Sequence, residues 1–100
     1  MIRQGTTPTN IFETDTDLTE AEVIYVDYKQ NGVTVIERDI DHIEVTPTEI
    51  RVRLTQEETL ALDTAYPVIM QIRARFGDDT AIASQKMSTS VDEVIRGGVI

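Results

Sequence analysis

EIRVRLTQEETLALDTAYPVIMQIRARF, residues Glu49 to Phe76, decides the fold of this chain. Its first arm puts Ile50, Val52 and Leu54 in one phase and Arg51 and Arg53 in the other. Its last arm sets Val68, Met70, Ile72, Ala74 and Phe76 against Gln71, Arg73 and Arg75. Alternation of period two marks strands with one buried and one wet face, the habit of antiparallel sheets. Between the arms, Thr55 and Glu58 stand at capping-box spacing, in which a hydroxyl and a carboxylate each satisfy a free amide at a helix start. Leu60 and Leu62 cannot both face one way in a long helix, so the spacing predicts one or two turns only.

Outward from this block the punctuation is regular. Ile11 and Phe12 begin a short apolar segment that ends in TDTD, and AEVIYVDYKQ, residues 21–30, is rich in the β-branched and aromatic residues that strands favour. Asn31-Gly32 between that run and VTVIERDI predicts a tight hairpin, because both residues accept positive φ. Pro47 cannot donate to a ladder, which places a turn at Thr46–Glu49 between a strand carrying Ile43 and Val45 and the strand of Ile50. Gly77, Asp78 and Asp79 turn the chain again, into TAIASQKMSTSV, where weaker alternation predicts an edge strand or a bulge.

Six or seven short strands at this spacing, with one short helical turn, make an all-β antiparallel sandwich or small barrel, the sandwich being preferred. The predicted inward set is Ile24, Val26, Tyr28, Val35, Ile43, Val45, Ile50, Val52, Leu54, Leu60, Val68, Met70, Ile72 and Phe76. One hundred residues suit a single core. Residues 1–10 read as a polar N-terminal arm, 11–93 as the sandwich, and 94–100, with Val94, Ile95, Val99 and Ile100 around Gly97-Gly98, as an apolar C-terminal tail.

Composition excludes several functions. There is no cysteine, hence no disulfide, thiolate nucleophile or thiolate metal site. A net charge of −9 repels phosphate backbones and argues against a nucleic-acid partner. No apolar run approaches the roughly 18 residues of a membrane span, and no signal-peptide h-region follows Met1, so no membrane partner is expected.

Chemistry-bearing groups are sparse. Asp15, Asp17, Glu20 and Glu22 crowd one loop, and hard oxygen donors so placed are weak candidates for Ca²⁺, chiefly Asp15, Asp17 and Glu20. They lack the glycine and closing glutamate of a helix-loop-helix calcium loop, and a solvated acidic loop is the expected reading. Asp39, Asp41 and Glu44 form a second small group near a turn. His42 is the only histidine; on a strand only Glu44 would share its side. The serines at 84, 88 and 90 have no nucleophile-elbow context. The chain reads as a non-enzyme with no catalytic residues, no bound metal and no cofactor.

The basic residues are more patterned. Arg51 and Arg53 occupy the outward phase of one strand, and Arg73 and Arg75 that of another. Arginine forks pair with carboxylates and stack on aromatics, which favours them at protein interfaces, although outward acids such as Glu37 or Glu44 are equally good partners.

Four segments carry a family resemblance: IRQGTTPT at 2–9, LTQEETLAL at 54–62, VIMQIRARFGDD at 68–79 and IASQKMSTSV at 82–91. Together they resemble short proteins encoded by bacteriophages and prophages of Gram-positive hosts and, more distantly, the amino-terminal β-sandwich of phage baseplate upper proteins. The resemblance implies an immunoglobulin-like sandwich in a virion structural or assembly protein of the capsid, tail or baseplate. It further implies synthesis in the host cytoplasm, incorporation in the virion, and contacts with other virion proteins and with copies of itself. It brings no catalytic residues. The two cysteines and core Trp of immunoglobulin domains are absent. Asp63, Ala65 and Tyr66 resemble a tyrosine corner one residue short, so Tyr66 is read as a loop-covering aromatic. Two further classes compete: a carbohydrate or cell-surface binding module, calcium-assisted or not, disfavoured by 5% aromatic content, and an acidic mimic of nucleic acid, disfavoured by the arginines.

Overall fold

The computed structural model describes residues Met1 to Ile100, and two antiparallel sheets face each other across one core. In chain order the strands are β1 (Ile2–Arg3), β2 (Thr9–Glu13), β3 (Val23–Gln30), β4 (Val33–Asp39), β5 (Glu44–Val45), β6 (Glu49–Arg53), β7 (Val68–Arg75), β8 (Ala81–Ala83), β9 (Met87–Thr89) and β10 (Val91–Asp92). A 3₁₀ turn (Ile40–His42) follows β4, and α1 (Gln56–Leu60) follows β6. Seven of the strands have three residues or more, which matches the predicted six or seven; the other three are two-residue pairings.

One sheet has the order β2-β6-β5 and the other β4-β3-β7-β8, with β9 pairing the other half of β7. In the lettering of immunoglobulin sandwiches these are B-E-D and C′-C-F-G, so the chain is an immunoglobulin-like β-sandwich by its strand order. Alternation produces the core directly. Ile50 and Val52 of β6 and Ile24, Val26, Tyr28, Val68, Met70 and Ile72 of β3 and β7 point into the same buried cluster. Phe12 of β2 meets Tyr28 of β3 edge-on across the interior, ring centroids 6.5 Å apart. Tyr28 is fully buried, and its hydroxyl donates to Asn10 Oδ1 at 2.8 Å.

The predicted turns form for the predicted reasons. Asn31 and Gly32 have φ of 50° and 77°, the doubly positive turn that matches strand twist. At the Pro47 turn the Thr46 amide donates to Glu49 O at 2.9 Å, and Thr46 Oγ1 accepts from the Glu49 amide. Thr55 and Glu58 make the full capping box at the start of α1. The weak stretch 80–91 is both edge and bulge. Ser84 separates β8 from β9; its hydroxyl accepts from the Ile72 amide and its own amide donates to Ile72 O.

Four expectations are corrected. Residues 1–10 are not an arm: Ile2 is buried in the core, and β1 pairs in parallel with β10, a long-range pairing that a two-residue strand cannot announce in sequence. Val35 is exposed and Ile36 buried instead, because a bulge opposite Tyr28/Lys29 shifts the register of β4 by one residue, and a one-residue slip exchanges the faces. Leu60 is half-buried and Leu62 takes the core position, since α1 stops at Leu60. Ile43, Val45 and Phe76 pack against the core edge without being enclosed by it.

Gln30 fixes the connection into β7. Its buried side chain donates through Nε2 to Asp63 O (2.7 Å) and Tyr66 O (3.0 Å), and its Oε1 accepts from the Asp63 amide (2.9 Å). This anchor does the work of a tyrosine corner, and Tyr66 lies exposed with its hydroxyl in no hydrogen bond within the protein. Gln30→Ala leaves two carbonyls and an amide without their partner. It is expected to lower stability by about 2 kcal/mol, measured as a shift in urea midpoint at constant slope; a change under a tenth of that removes the anchor role.

Candidate interaction site

The four outward arginines do not form one site. Because β6 and β7 send their apolar phases into the same interior, their arginine phases point away from each other. Arg51 and Arg53 lie on the outer face of the β2-β6-β5 sheet, and Arg73 and Arg75 on that of the β4-β3-β7-β8 sheet. Arg51 is held by Glu49 (3.2 Å) and Glu44 (3.8 Å), and Arg75 by Asp79 (3.3 Å) and Glu22 (3.9 Å). Arg53 and Arg73 enter no ion pair and no side-chain hydrogen bond, so the sequence pattern of four resolves into two paired and two free.

The free arginines have different surroundings. Arg53 borders a shallow polar depression with Thr9, Asp41, His42 and Glu44. Arg73 lies opposite Tyr25 in the β3–β7 ladder and opposite Ala83 in the β7–β8 ladder. On the same outer face Ile69 stands opposite Lys29, and the bulged Val35 projects beside them; Tyr25, Val35 and Ile69 are about half exposed. An exposed tyrosine across from an unpaired arginine is a pairing of the residue types enriched among interface hot spots; Ile69 stands four residues further along β7, with the Asp27–Gln71 pair between. Composition alone missed it. The signal was available as Tyr25 and Ile69 occupying the outward phases of their strands.

One arginine that sequence reading passed over makes the most hydrogen bonds of all. Arg38 projects inward from the edge strand β4, and its guanidinium grips Glu58 of α1 through two nitrogens, one donating to Oε2 at 2.7 Å and the other to Oε1. The second nitrogen also donates to Arg53 O at 3.2 Å, while Glu58 Oε1 accepts from the Thr55 amide at 2.9 Å. These donors hold the Glu58 carboxyl below its ordinary range, the Arg38 hydrogen bonds being the largest cause, and Glu58 in turn raises Arg38. With every oxygen already engaged, the pair is a structural tie between the sheets.

The carboxylates of the loops are occupied locally. Asp17 accepts from the amide and hydroxyl of Thr19, hydroxyl first in effect, which lowers its carboxyl pKa. Asp78 is lowered by the Thr80 amide. Asp39 caps the 3₁₀ turn and lies 2.6 Å from His42 Nδ1, the contact that chiefly lowers it. His42 thus meets Asp39 and not Glu44, because the chain at 40–42 is a turn and not a strand. The calcium candidates Asp15, Asp17 and Glu20 do not converge: no three His, Asp or Glu side chains gather in a metal-binding group anywhere in the structure.

A histidine–aspartate pair needs a nucleophile to do acyl chemistry. Ser84 and Ser88 lie at the β8–β9 edge, and His42 follows β4 at the other edge of the same sheet. Three strand spacings separate those edges, about 14 Å. Ser84 Oγ moreover donates to Gln85 O and accepts from Ile72 N. No helix is long and apolar enough to cross a membrane.

No family model and no curated protein matches the chain. Two solved structures are similar in the run of the chain. The first is a strand-swapped dimer of the immunoglobulin-like domain of mouse leukocyte-associated immunoglobulin-like receptor 1. It has 17% identity and a TM-score of 0.47, covering 93% of this chain and 84% of that one. The second is the V domain of amphioxus IgVJ-C2, with 10% identity and a TM-score of 0.40, covering 90% and 96%. At these values the likeness is one of shape, and the fold assignment stands on the strand order.

The Arg38–Glu58 tie makes stability depend on pH. Because the folded Glu58 pKa lies below the ordinary 4.5, its contribution is complete above that pH and is lost as pH falls through the lowered value. Glu58→Gln is therefore expected to cost about 1–2 kcal/mol near neutrality, with the gap to the parent protein closing below pH 4.5. Denaturant titrations at a series of pH values check this; a gap that is constant with pH means that the charge of Glu58 is immaterial.

Proposed function

We propose that this chain is a structural or assembly module of a bacteriophage virion, carried in the tail, the baseplate or on the capsid, and that it works as a non-enzyme through contacts with other virion proteins and with copies of itself. The observation that carries the protein-contact part is the outer face of the β4-β3-β7-β8 sheet, where unpaired Arg73 stands across from exposed Tyr25, with Ile69 and Val35 exposed further along the same face. The virion part rests on the resemblance of the segments at 2–9, 54–62, 68–79 and 82–91.

Charge agrees with this direction. Eighteen acidic against nine basic residues disfavour a nucleic-acid partner and favour a basic protein surface. Two hydrogen-bonded sheets present a rigid backbone, so that binding at one face needs little reordering.

Expression of the chain in a phage-producing host tests both parts. The protein is expected in purified virions, cross-linked to another structural protein through residues of this face. Tyr25→Ala with Arg73→Glu, both exposed, is expected to leave the circular-dichroism spectrum and melting temperature unchanged while reducing incorporation at least about tenfold. Absence of the parent chain from virions overturns the virion reading. Unchanged incorporation of the double variant overturns the face.

A further inference from the structure

At one end of the sandwich the two sheets part, leaving a groove of about 430 Å³ between the loop after β2 and the β8–β9 edge. Its floor is apolar: Leu18, Ile72, Ala74, Ile82 and Met87. Its rim carries Glu13 and Asp15, neither of which is in an ion pair. β8 ends its sheet, and its sequence Ala81-Ile82-Ala83 carries none of the charges that guard an edge; β4, at the opposite edge, carries Glu37, Arg38 and Asp39.

The segment Val94–Ile100 has the matching chemistry. Ile95 and Ile100 are essentially fully exposed and Val99 more than half so, the largest concentration of uncovered aliphatic side chains in the molecule. Arg96, at its centre, is in no ion pair. In extended form Ile95 and Val99 fall on one side and Arg96 on the other. Gly97 and Gly98 offer no Cβ to the approach of another backbone.

The segment cannot fill the groove of its own chain. The side chain of Gln56, in α1, accepts from the Ile100 amide at 2.9 Å, and Val94 lies over Gly5, all at the α1 end of the molecule. The groove opens at the other end of the β2–β6 ladder, where Glu13 faces Glu49, while Thr9 faces Arg53 next to α1. Donor and acceptor sites at opposite ends make a head-to-tail contact between copies.

We propose that residues Val94–Ile100 of one copy dock in the groove of a second copy. They add to the free edge of β8 as a short strand, with Ile95 and Val99 on the apolar floor and Arg96 between Glu13 and Asp15. This deepens the proposed function by naming the self-contact, and it rests on that reading only in requiring that copies associate.

Sedimentation velocity of the full chain over a wide concentration range tests the contact, together with fluorescence anisotropy of a labelled peptide spanning Glu93–Ile100. The expected results are concentration-dependent self-association and peptide binding. Ile95→Asp or Arg96→Glu is expected to weaken association about tenfold or more. Glu13→Arg with Asp15→Arg, both at exposed positions, should do the same, and adding Arg96→Glu to that chain should restore it. A monomer at every concentration that also fails to bind the peptide overturns the proposal, as does equal binding of a scrambled peptide or failure of the reversed charges to rescue. A chain that is monomeric in solution yet incorporated in virions overturns this contact alone. One that associates through the groove yet is absent from virions overturns only the virion reading.

Discussion

The Arg38–Glu58 fork is the directional interaction that fixes how an edge of one sheet meets the other. Apolar burial can press two sheets together but does not fix their edges, because it is non-directional. The fork supplies direction. It joins β4, an edge strand of one sheet, to the helical turn that follows β6 of the other, and it borrows the Arg53 carbonyl and the Thr55 amide in doing so. A capping box that in isolation stabilises one turn of helix is thereby made part of the tie between sheets. Removing one partner would leave the other half-buried and unmatched, which is costlier than never having had the pair.

What was legible in the sequence follows from how local each cause is. Strand phases in β3, β6 and β7 could be read because alternation is a property of neighbouring residues, and the turns at Asn31-Gly32 and Thr46–Glu49 because a positive φ or a missing amide is a property of single residues. Ile2 was not legible: its burial depends on pairing β1 with β10, some ninety residues away. The inversion of Val35 and Ile36 depends on a bulge that no residue between Val33 and Asp39 signals, since both candidates are β-branched. Arg38 drew no reading of its own, because its partner Glu58 comes within reach only when β4 is placed against α1.

The candidate site was legible in kind and not in place. Arginine at alternate positions of two strands was visible, but alternation is blind to which side of the sandwich each outward phase occupies. Once the sheets face each other, the set divides, and charge pairing divides it again, leaving Arg73 with Tyr25 on one face and Arg53 alone on the other. The carboxylates changed meaning in the same way. Asp17, Asp39 and Asp78 each stabilise a turn through a nearby amide or side chain, so part of the acidic excess is local backbone chemistry and not a surface awaiting cations.

The same topology explains why the groove lies where it does. In an immunoglobulin sandwich the first strand can run along either sheet, and here β1 pairs only with β10, at the α1 end. The far half of β2 and the short β8 therefore face each other with no strand between them. A chain that leaves its one uncharged edge beside an apolar floor, while holding its most exposed aliphatic residues at the opposite end, has the two halves of a strand-addition contact that a single molecule cannot complete.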